Sequence, residues 1–196
     1  MSKFLLLIRK ENSDYANKMY IEAIEKFGGE VVLIYDYSSE EECLDYLKEV
    51  SGILLPGGDY VGPLDFFLIK YAIDNKLKLL GICQGMQSMA LYGSSDKLVE
   101  IGNLEHKKEE GYVHSVKLCN SRLKNIYGEE VIRVNSHHLQ TVKNSYYFNI
   151  VGRSDDNLIE AIESNIGIFQ IGVQWHPERM IEYDVNSCNL FKEFVN

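Results

Sequence analysis

The sequence has no long hydrophobic run. Near the N-terminus only residues 4–8 form an unbroken apolar stretch, and Arg9 and Lys10 follow it directly. A stretch of this length is too short for a signal peptide or a membrane-spanning helix. We therefore expect a cytoplasmic protein that makes no contact with a membrane.

Cysteine and positive charge are also scarce. The 196 residues include 4 cysteines, which are widely spaced and form no Cys-x-x-Cys pair. Disulfides and a structural zinc site are therefore not expected. Lys and Arg total 20 against 29 Asp and Glu, so the formal net charge is -9. A nucleic-acid-binding surface needs a basic face, so this charge balance argues against a nucleic-acid partner.

The first half of the chain alternates apolar runs with amphipathic segments. Strands are predicted at residues 3–8, 31–35, 53–55 and 77–82, and helices at 14–27, 40–50, 64–72 and 84–92. This alternation predicts an α/β fold with a mostly parallel sheet and helices on both faces. Because no linker, repeat or low-complexity segment interrupts the chain, residues 1–196 are interpreted as a single domain.

The second half is richer in strands. Strand-like segments cover residues 113–118, 130–134, 148–153, 158–163 and 168–173, and an amphipathic helix is predicted over 185–195. The scarcity of helices between these strands predicts antiparallel additions to the sheet.

Cys83 lies where a buried strand meets a helix, with Gly81 and Gly85 on either side. This spacing is typical of a strand-to-helix elbow that presents a nucleophile. A helix N-terminus also favours the thiolate form of a cysteine. The alternative for any free cysteine is a buried structural role, which fits Cys43, Cys119 and Cys188.

A histidine and a glutamate follow the last predicted strand. His176 could take the thiol proton and later protonate a leaving nitrogen. Glu178 could accept a hydrogen bond from the other ring nitrogen and fix the tautomer. The alternative is a loop histidine beside a solvated glutamate. With the elbow, the pair predicts a cysteine hydrolase with the triad Cys83, His176 and Glu178.

The segment Pro56-Gly57-Gly58 follows another predicted strand. Because the carboxyl ends of parallel strands meet at one edge of the sheet, this turn can approach Cys83. The N–H of Gly57 or Gly58 could then stabilise an oxyanion together with the N–H of Gln84. The alternative is an ordinary turn.

His137 and His138 suggest a paired metal site, but adjacent residues of an extended chain point to opposite sides. No carboxylate or thiol lies nearby in sequence. We therefore predict a polar pocket wall, no cofactor, and an activity that needs no metal.

Several segments resemble a known family. The elbow GICQGMQ, the turn LLPGG and the segment IGVQWHPE are similar to those of class I glutamine amidotransferases. The segments HSVKLCNSRLKNIYG, VIRVNSHHLQ and DDNLIEAIE resemble the γ-glutamyl hydrolase branch that includes γ-glutamyl-γ-aminobutyrate hydrolase. The resemblance implies a flavodoxin-like sheet, the same triad and the same oxyanion hole. It also implies that the α-amino and α-carboxylate groups of a γ-glutamyl substrate are held by Gln87, Ser136, His137 and His138.

The chain departs from that branch after the elbow. Ala90 stands where the branch usually has asparagine, and the segment after Tyr92 is short. Among compact members, the chain resembles the γ-glutamyl-CDP-amidate hydrolases of capsule phosphoramidate synthesis. The short segment after Tyr92 and the basic residues Lys107, Lys108 and Arg179, which are close in sequence to loops near the predicted site, suggest a polar, anionic leaving group. The alternative is that these three are ordinary surface charges.

Three functions are open at this point. The first is a hydrolase that cleaves a γ-glutamyl amide through a thioester and releases glutamate with an amine or phosphoramidate. The second is a glutaminase subunit that delivers ammonia to a synthetase partner. The third is a non-enzymatic protein on the same sheet, against which the pair of His176 and Glu178 argues.

Overall fold

The computed structural model of the chain describes residues 1–102, 106–108 and 111–196. Its α-helices are α1 (Asp14–Glu25), α2 (Glu40–Leu47), α3 (Pro63–Asp74), α4 (Gln84–Leu91), α5 (Arg122–Tyr127) and α6 (Val185–Val195). The strands are β1 (Lys3–Ile8), β2 (Glu30–Tyr35), β3 (Gly52–Leu55), β4 (Lys78–Ile82), β5 (Val99–Glu100), β6 (Lys107–Lys108), β7 (His114–Leu118), β8 (Val131–Val134), β9 (Ser136–His137), β10 (Gln140–Thr141), β11 (Asn149–Ser154), β12 (Ile159–Glu163) and β13 (Gln170–Val173).

A mixed sheet of nine strands has the order β2-β1-β3-β4-β13-β12-β11-β7-β8. Strands β2, β1, β3, β4 and β13 run parallel to one another. The remaining four continue the sheet through antiparallel pairs. The predicted α/β class, mostly parallel with antiparallel additions, is confirmed. Two small ladders, β5 with β10 and β6 with β9, lie outside this sheet.

The helices cover both faces of the sheet, as predicted. The side chains of β1 alternate between the two faces of the sheet. Phe4 and Leu6 pack in one core cluster, and Leu5 and Leu7 pack in the other. The first cluster includes buried residues of α1, α5 and α6, and the second includes those of α2, α3 and α4.

Local signals fix where α1 and α2 begin. The Ser13 hydroxyl accepts the N–H of Ala16 at the start of α1, and Ser39 and Glu42 form a reciprocal capping box at α2. Such caps satisfy N–H groups that have no partner within the helix. They explain why both helices begin where the sequence predicts.

Candidate active site

Cys83 sits on a sharp backbone turn between β4 and α4. Its φ of 51° and ψ of -108° are unusual for a residue with a side chain. A Cβ at Gly81 would lie 2.6 Å from the sulfur of Met89, and one at Gly85 would overlap the carbonyl oxygen of Leu55. The predicted elbow is therefore present, and both glycines are required by close packing.

His176 reaches the same edge of the sheet because β13 pairs in parallel with β4. Its Nδ1 lies 2.7 Å from Oε1 of Glu178, and both side chains are buried. Asn135 holds the backbone of His176 from two sides. It accepts the N–H and donates to the carbonyl, each at 2.8 Å. The sequence analysis did not identify this clamp.

The charges of the site favour an ion pair. Burial raises the pKa of the Cys83 thiol, but the neighbouring His176 and the charge of His138 together outweigh burial and hold that pKa below its usual value. Burial would lower the pKa of His176, but Glu178 and Cys83 raise it to about 9. Within the described part of the chain, His176 Nε2 has no hydrogen-bond partner. The arrangement favours a thiolate beside an imidazolium with a transferable proton.

The two candidate oxyanion donors in the glycine turn differ. The N–H of Gly57 donates to the Tyr20 hydroxyl at 3.1 Å, so it is already engaged. Neither Gly58 nor Gln84 has its N–H in a hydrogen bond among those described. The assignment of Gly57 as a donor is therefore disfavoured, and Gly58 with Gln84 remains. The buried Tyr20 was not singled out from the sequence.

A cavity of about 400 Å³ lies over Cys83. Gln87, His137 and His138 line it, as the predicted substrate contacts require. Ser136 does not line it. The Ser136 side chain is buried, and its hydroxyl donates to the carbonyl of His106 at 3.0 Å. This geometry does not favour a substrate contact by the Ser136 side chain, and the predicted role of Ser136 in binding stays a prediction.

Two glutamines connect the elbow to the cavity wall. Gln174 lies with its Nε2 3.5 Å from the Cys83 sulfur, and its side-chain oxygen accepts from Gln87. Gln87 also donates to the carbonyl of Gln140 at 2.9 Å. Gln174 lies within the sequence segment that suggested His176, but its own contact with the thiol was not anticipated.

A buried ion pair supports the first turn of α4. Arg9 donates to Asp65, and both side chains are almost fully buried. Asp65 also accepts the Ser88 hydroxyl at 3.1 Å, and Ser88 accepts the side-chain amide of Gln84 at 2.7 Å. Because these partners come from three separate segments of the chain, no local sequence signal predicts the network.

The other three cysteines and the basic residues singled out from the sequence differ in burial and in their distance from the cavity. Cys43 is buried and Cys188 half-buried, but Cys119 is exposed, so the expectation of a buried structural role is wrong for Cys119. Lys107 and Arg179 line the cavity. Lys108 is exposed and lines none of the described cavities.

With this geometry, the chain can be compared with known proteins. The sequence profile of Peptidase C26 matches residues 6–67 and 64–178. The chain belongs to the Peptidase C26 family. This membership, with glutamine amidotransferase-like relatives, supports a hydrolase.

Three relatives illustrate the range of the similarity. PB2B2.05 of Schizosaccharomyces pombe, a candidate glutamine amidotransferase by name, is 32% identical over 90% of this chain and 80% of its own length. A glutamine-hydrolyzing GMP synthase subunit of Methanococcus aeolicus is 34% identical, with 75% of this chain and 73% of its own length covered. Gamma-glutamyl hydrolase B of Dictyostelium discoideum is 25% identical over 87% of this chain, which spans 58% of that protein.

Among solved structures, the glutaminase domain of the CTPS of Trypanosoma brucei, with bound acivicin, superimposes with a TM-score of 0.79. The superposition covers 99% of this chain and 92% of the glutaminase domain, and the two sequences are 16% identical. The similarity is therefore evidence for the fold alone. In the described part of this chain, none of the helices has the length and apolar character needed to cross a membrane.

Proposed function

We propose that this chain is a cysteine-dependent hydrolase that cleaves γ-glutamyl amide bonds. The observation that carries the proposal is the strained turn at Cys83 beside a buried imidazole that Glu178 holds at 2.7 Å. A structural cysteine has no need of a positive φ, which costs on the order of 1–3 kcal/mol. A lowered thiol pKa and a raised imidazole pKa are what nucleophilic catalysis requires.

In the first half of the reaction, the Cys83 thiolate attacks the γ-carbonyl carbon. The carbonyl oxygen becomes an oxyanion within reach of the N–H groups of Gly58 and Gln84. When the intermediate collapses, the C–N bond breaks and His176 gives its proton to the leaving nitrogen. The products of this half are the free amine and a γ-glutamyl thioester on Cys83.

In the second half, water attacks the thioester. His176, now neutral, takes a proton from that water, and the oxyanion again faces Gly58 and Gln84. The C–S bond breaks, glutamate is released, and the thiolate–imidazolium pair forms again. Glu178 stays ionised throughout and stabilises the imidazolium.

The cavity wall suits the head group of glutamate, which carries one positive and one negative charge. Glu100, Lys107 and Arg179 line the cavity, and Gln140 donates to Glu100 at 2.6 Å. Glu100 could bind the α-ammonium group and a basic residue could bind the α-carboxylate. His137 would fix the orientation between them.

For the leaving group, we propose a polar, anionic amine or phosphoramidate, such as the nucleotide part of γ-glutamyl-CDP-amidate. A second cavity of about 680 Å³ shares Ala16, His137 and Arg179 with the first. Tyr15 and Tyr183 also line it. Aromatic faces could stack on a base and Arg179 could contact a phosphate, which supports a nucleotide-sized group there.

The test is to incubate the purified chain alone with glutamine and a set of γ-glutamyl conjugates, and to measure released glutamate. We expect turnover of conjugates to exceed that of glutamine. If no γ-glutamyl compound is cleaved, or if turnover survives replacement of Cys83, the proposed function is wrong.

The alternative is a glutaminase subunit that passes ammonia to a synthetase. The 34% identity with a GMP synthase subunit favours this candidate. Glutamine turnover that exceeds turnover of all conjugates, and that rises when a synthetase is added, would support it. The same assay therefore separates the two functions.

A further inference from the structure

Three histidines and a glutamate converge beside the candidate active site. His106 precedes β6, His114 begins β7, His138 follows β9 and Glu160 lies on β12. One side-chain nitrogen or oxygen of each lies within 4.8 Å of the others. The four residues come from separate segments, so no sequence spacing reveals them. Of the four, only His138 lines the cavity over Cys83, and the proposed reaction assigns a chemical step to none of them.

The carboxylate at the centre of this cluster has no described hydrogen bond and faces three imidazole rings at ion-pair distance. Glu160 is completely buried, and within the described residues neither of its oxygens accepts a hydrogen bond. Leaving a buried carboxylate in this state is costly. Its Oε1 is 3.7 Å from Nε2 of His138 and 3.8 Å from ring nitrogens of His106 and His114. These separations are too long for hydrogen bonds. Tetrahedral zinc ligands stand about 3.3–3.6 Å apart, so the carboxylate needs only a small shift, whereas the ring nitrogens, which lie within 4.8 Å of one another, would move closer together by up to about 1 Å.

The outer nitrogens of the three rings face acceptors, which leaves the inner nitrogens to bind a metal when the rings are neutral. The inner Nδ1 of His106 also lies 3.2 Å from the Ser136 hydroxyl, a contact that a metal ion would replace. His106 Nε2 lies 3.0 Å from Asp156, His114 Nδ1 lies 3.2 Å from the Ser115 carbonyl, and His138 Nδ1 lies 3.1 Å from the Gln140 carbonyl. Carboxylates and carbonyls only accept, so the outer nitrogens carry protons. Metal-binding histidines are oriented in this way by their second nitrogen.

We propose that His106, His114, His138 and Glu160 bind one divalent transition-metal ion, with zinc as the best match. Three imidazoles and one carboxylate suit zinc better than magnesium or calcium, which prefer oxygen ligands. Four protein ligands fill a tetrahedral site, so the ion is structural and leaves no position for substrate.

The ion would hold the cavity wall in place. His106 is adjacent to Lys107, which lines the cavity and pairs with His137 across the β6–β9 ladder. That ladder has only two residue pairs, so little else in it fixes the segment. The proposal departs from the expectation, drawn from the cysteine spacing, that the chain has no structural zinc site. Thiol chemistry at Cys83 uses no metal, so the separate expectation that the reaction needs none is unaffected.

The first experiment measures metal in the protein without an affinity tag. We expect about one zinc per chain by mass spectrometry of elements, from the four-ligand set. Glu160→Gln should lose the ion. Glu163→Gln is the matched control, because Glu163 lies on the same strand and its carboxylate only accepts the N–H groups of Arg122 and Leu123. Equal metal in both variants would overturn the proposal.

The second experiment uses only the unmodified sequence, so it does not depend on whether Glu160→Gln folds. Chelator treatment should lower the Tm, zinc should restore it and magnesium should not. Cobalt added to the chelator-treated protein should give the visible absorption of a tetrahedral centre. No stoichiometric metal together with an unchanged Tm would refute the site. Neither readout depends on hydrolase activity, so the proposed function is tested separately.

Discussion

At the scale of single residues, Cys83 joins an unfavourable backbone conformation to a chemically useful position. Its positive φ places the thiol over the first turn of α4 and close enough to His176 for a strong charge interaction. Conformations of this kind persist only where the surrounding packing fixes them. Gly81 and Gly85 provide that packing, because neither position can accept a side chain.

We predict that Cys83→Ala abolishes turnover and leaves the fold intact. Losing the nucleophile should reduce kcat by several orders of magnitude. Cys119→Ala is the matched control, since Cys119 is exposed and lines none of the described cavities. Circular dichroism would check the fold of both variants. More than about a tenth of normal activity in Cys83→Ala would exclude a nucleophilic role.

The pH dependence should be bell-shaped and should respond to Glu178. On the acid side, kcat/KM rises as the thiolate forms; on the alkaline side, it falls as the imidazolium loses its proton, at a pKa of about 9 for His176. Because the Glu178 charge raises that pKa, Glu178→Gln should move the alkaline limb to lower pH.

The same variant should cost less activity than His176→Ala, because the carboxylate orients the ring whereas the ring moves the proton. Pre-steady-state and steady-state rates across the pH range would test both statements. An unmoved alkaline limb, or the reverse order of activity losses, would contradict the assigned roles.

The meeting of site residues could be predicted only where the residue closely follows the end of a strand. Cys83, His176 and the glycine turn all follow strands of the parallel part of the sheet, so their meeting followed from topology. The engagement of Gly57 depends on the Tyr20 hydroxyl, far away in sequence. The orientation of Ser136 likewise depends on a distant group, the carbonyl of residue 106. Neither contact has a local signal.

At the scale of elements, the nine strands of the main sheet were predictable because each is a short apolar or alternating run. Helix α5 was missed, since the six residues Arg122–Tyr127 give too few turns for a periodic pattern. The two-residue ladders were missed for the same reason, yet β6 and β9 bring Lys107 beside His137 at the cavity.

The attachment of α3 to the elbow depends on one buried carboxylate. We predict that Asp65→Ala lowers the free energy of unfolding by about 3–5 kcal/mol, because it leaves the buried Arg9 guanidinium without a counter-charge. Asp74→Ala in the same helix removes only an exposed partner of Lys70 and should change stability little. Chemical denaturation measures both. Equal effects would mean that Asp65 is not a structural anchor.

At the scale of the whole molecule, the net charge of -9 opposes the approach of an anionic substrate. The metal centre proposed above would add local positive charge beside His138, and Lys107 and Arg179 add two further basic groups at the cavity. The preference for an anionic over a neutral leaving group should therefore depend on positive charges that lie at the cavity and not on the net charge of the protein. Removing a positive charge at the cavity should then change this preference, whereas removing one elsewhere on the surface should not.

The last prediction compares γ-glutamyl conjugates of a phosphoramidate, a neutral amine and a cationic polyamine. We expect Arg179→Gln to lower kcat/KM about threefold to tenfold more for the phosphoramidate conjugate than for the neutral conjugate, because the contact with the phosphate is lost. Lys117→Gln makes the same change in net charge on exposed β7, outside the described cavities, and should leave the ratio of the two conjugates unchanged. Fastest cleavage of the polyamine conjugate, or an equal change in the ratio of the two conjugates for Arg179→Gln and Lys117→Gln, would show that the leaving-group site is not anion-selective.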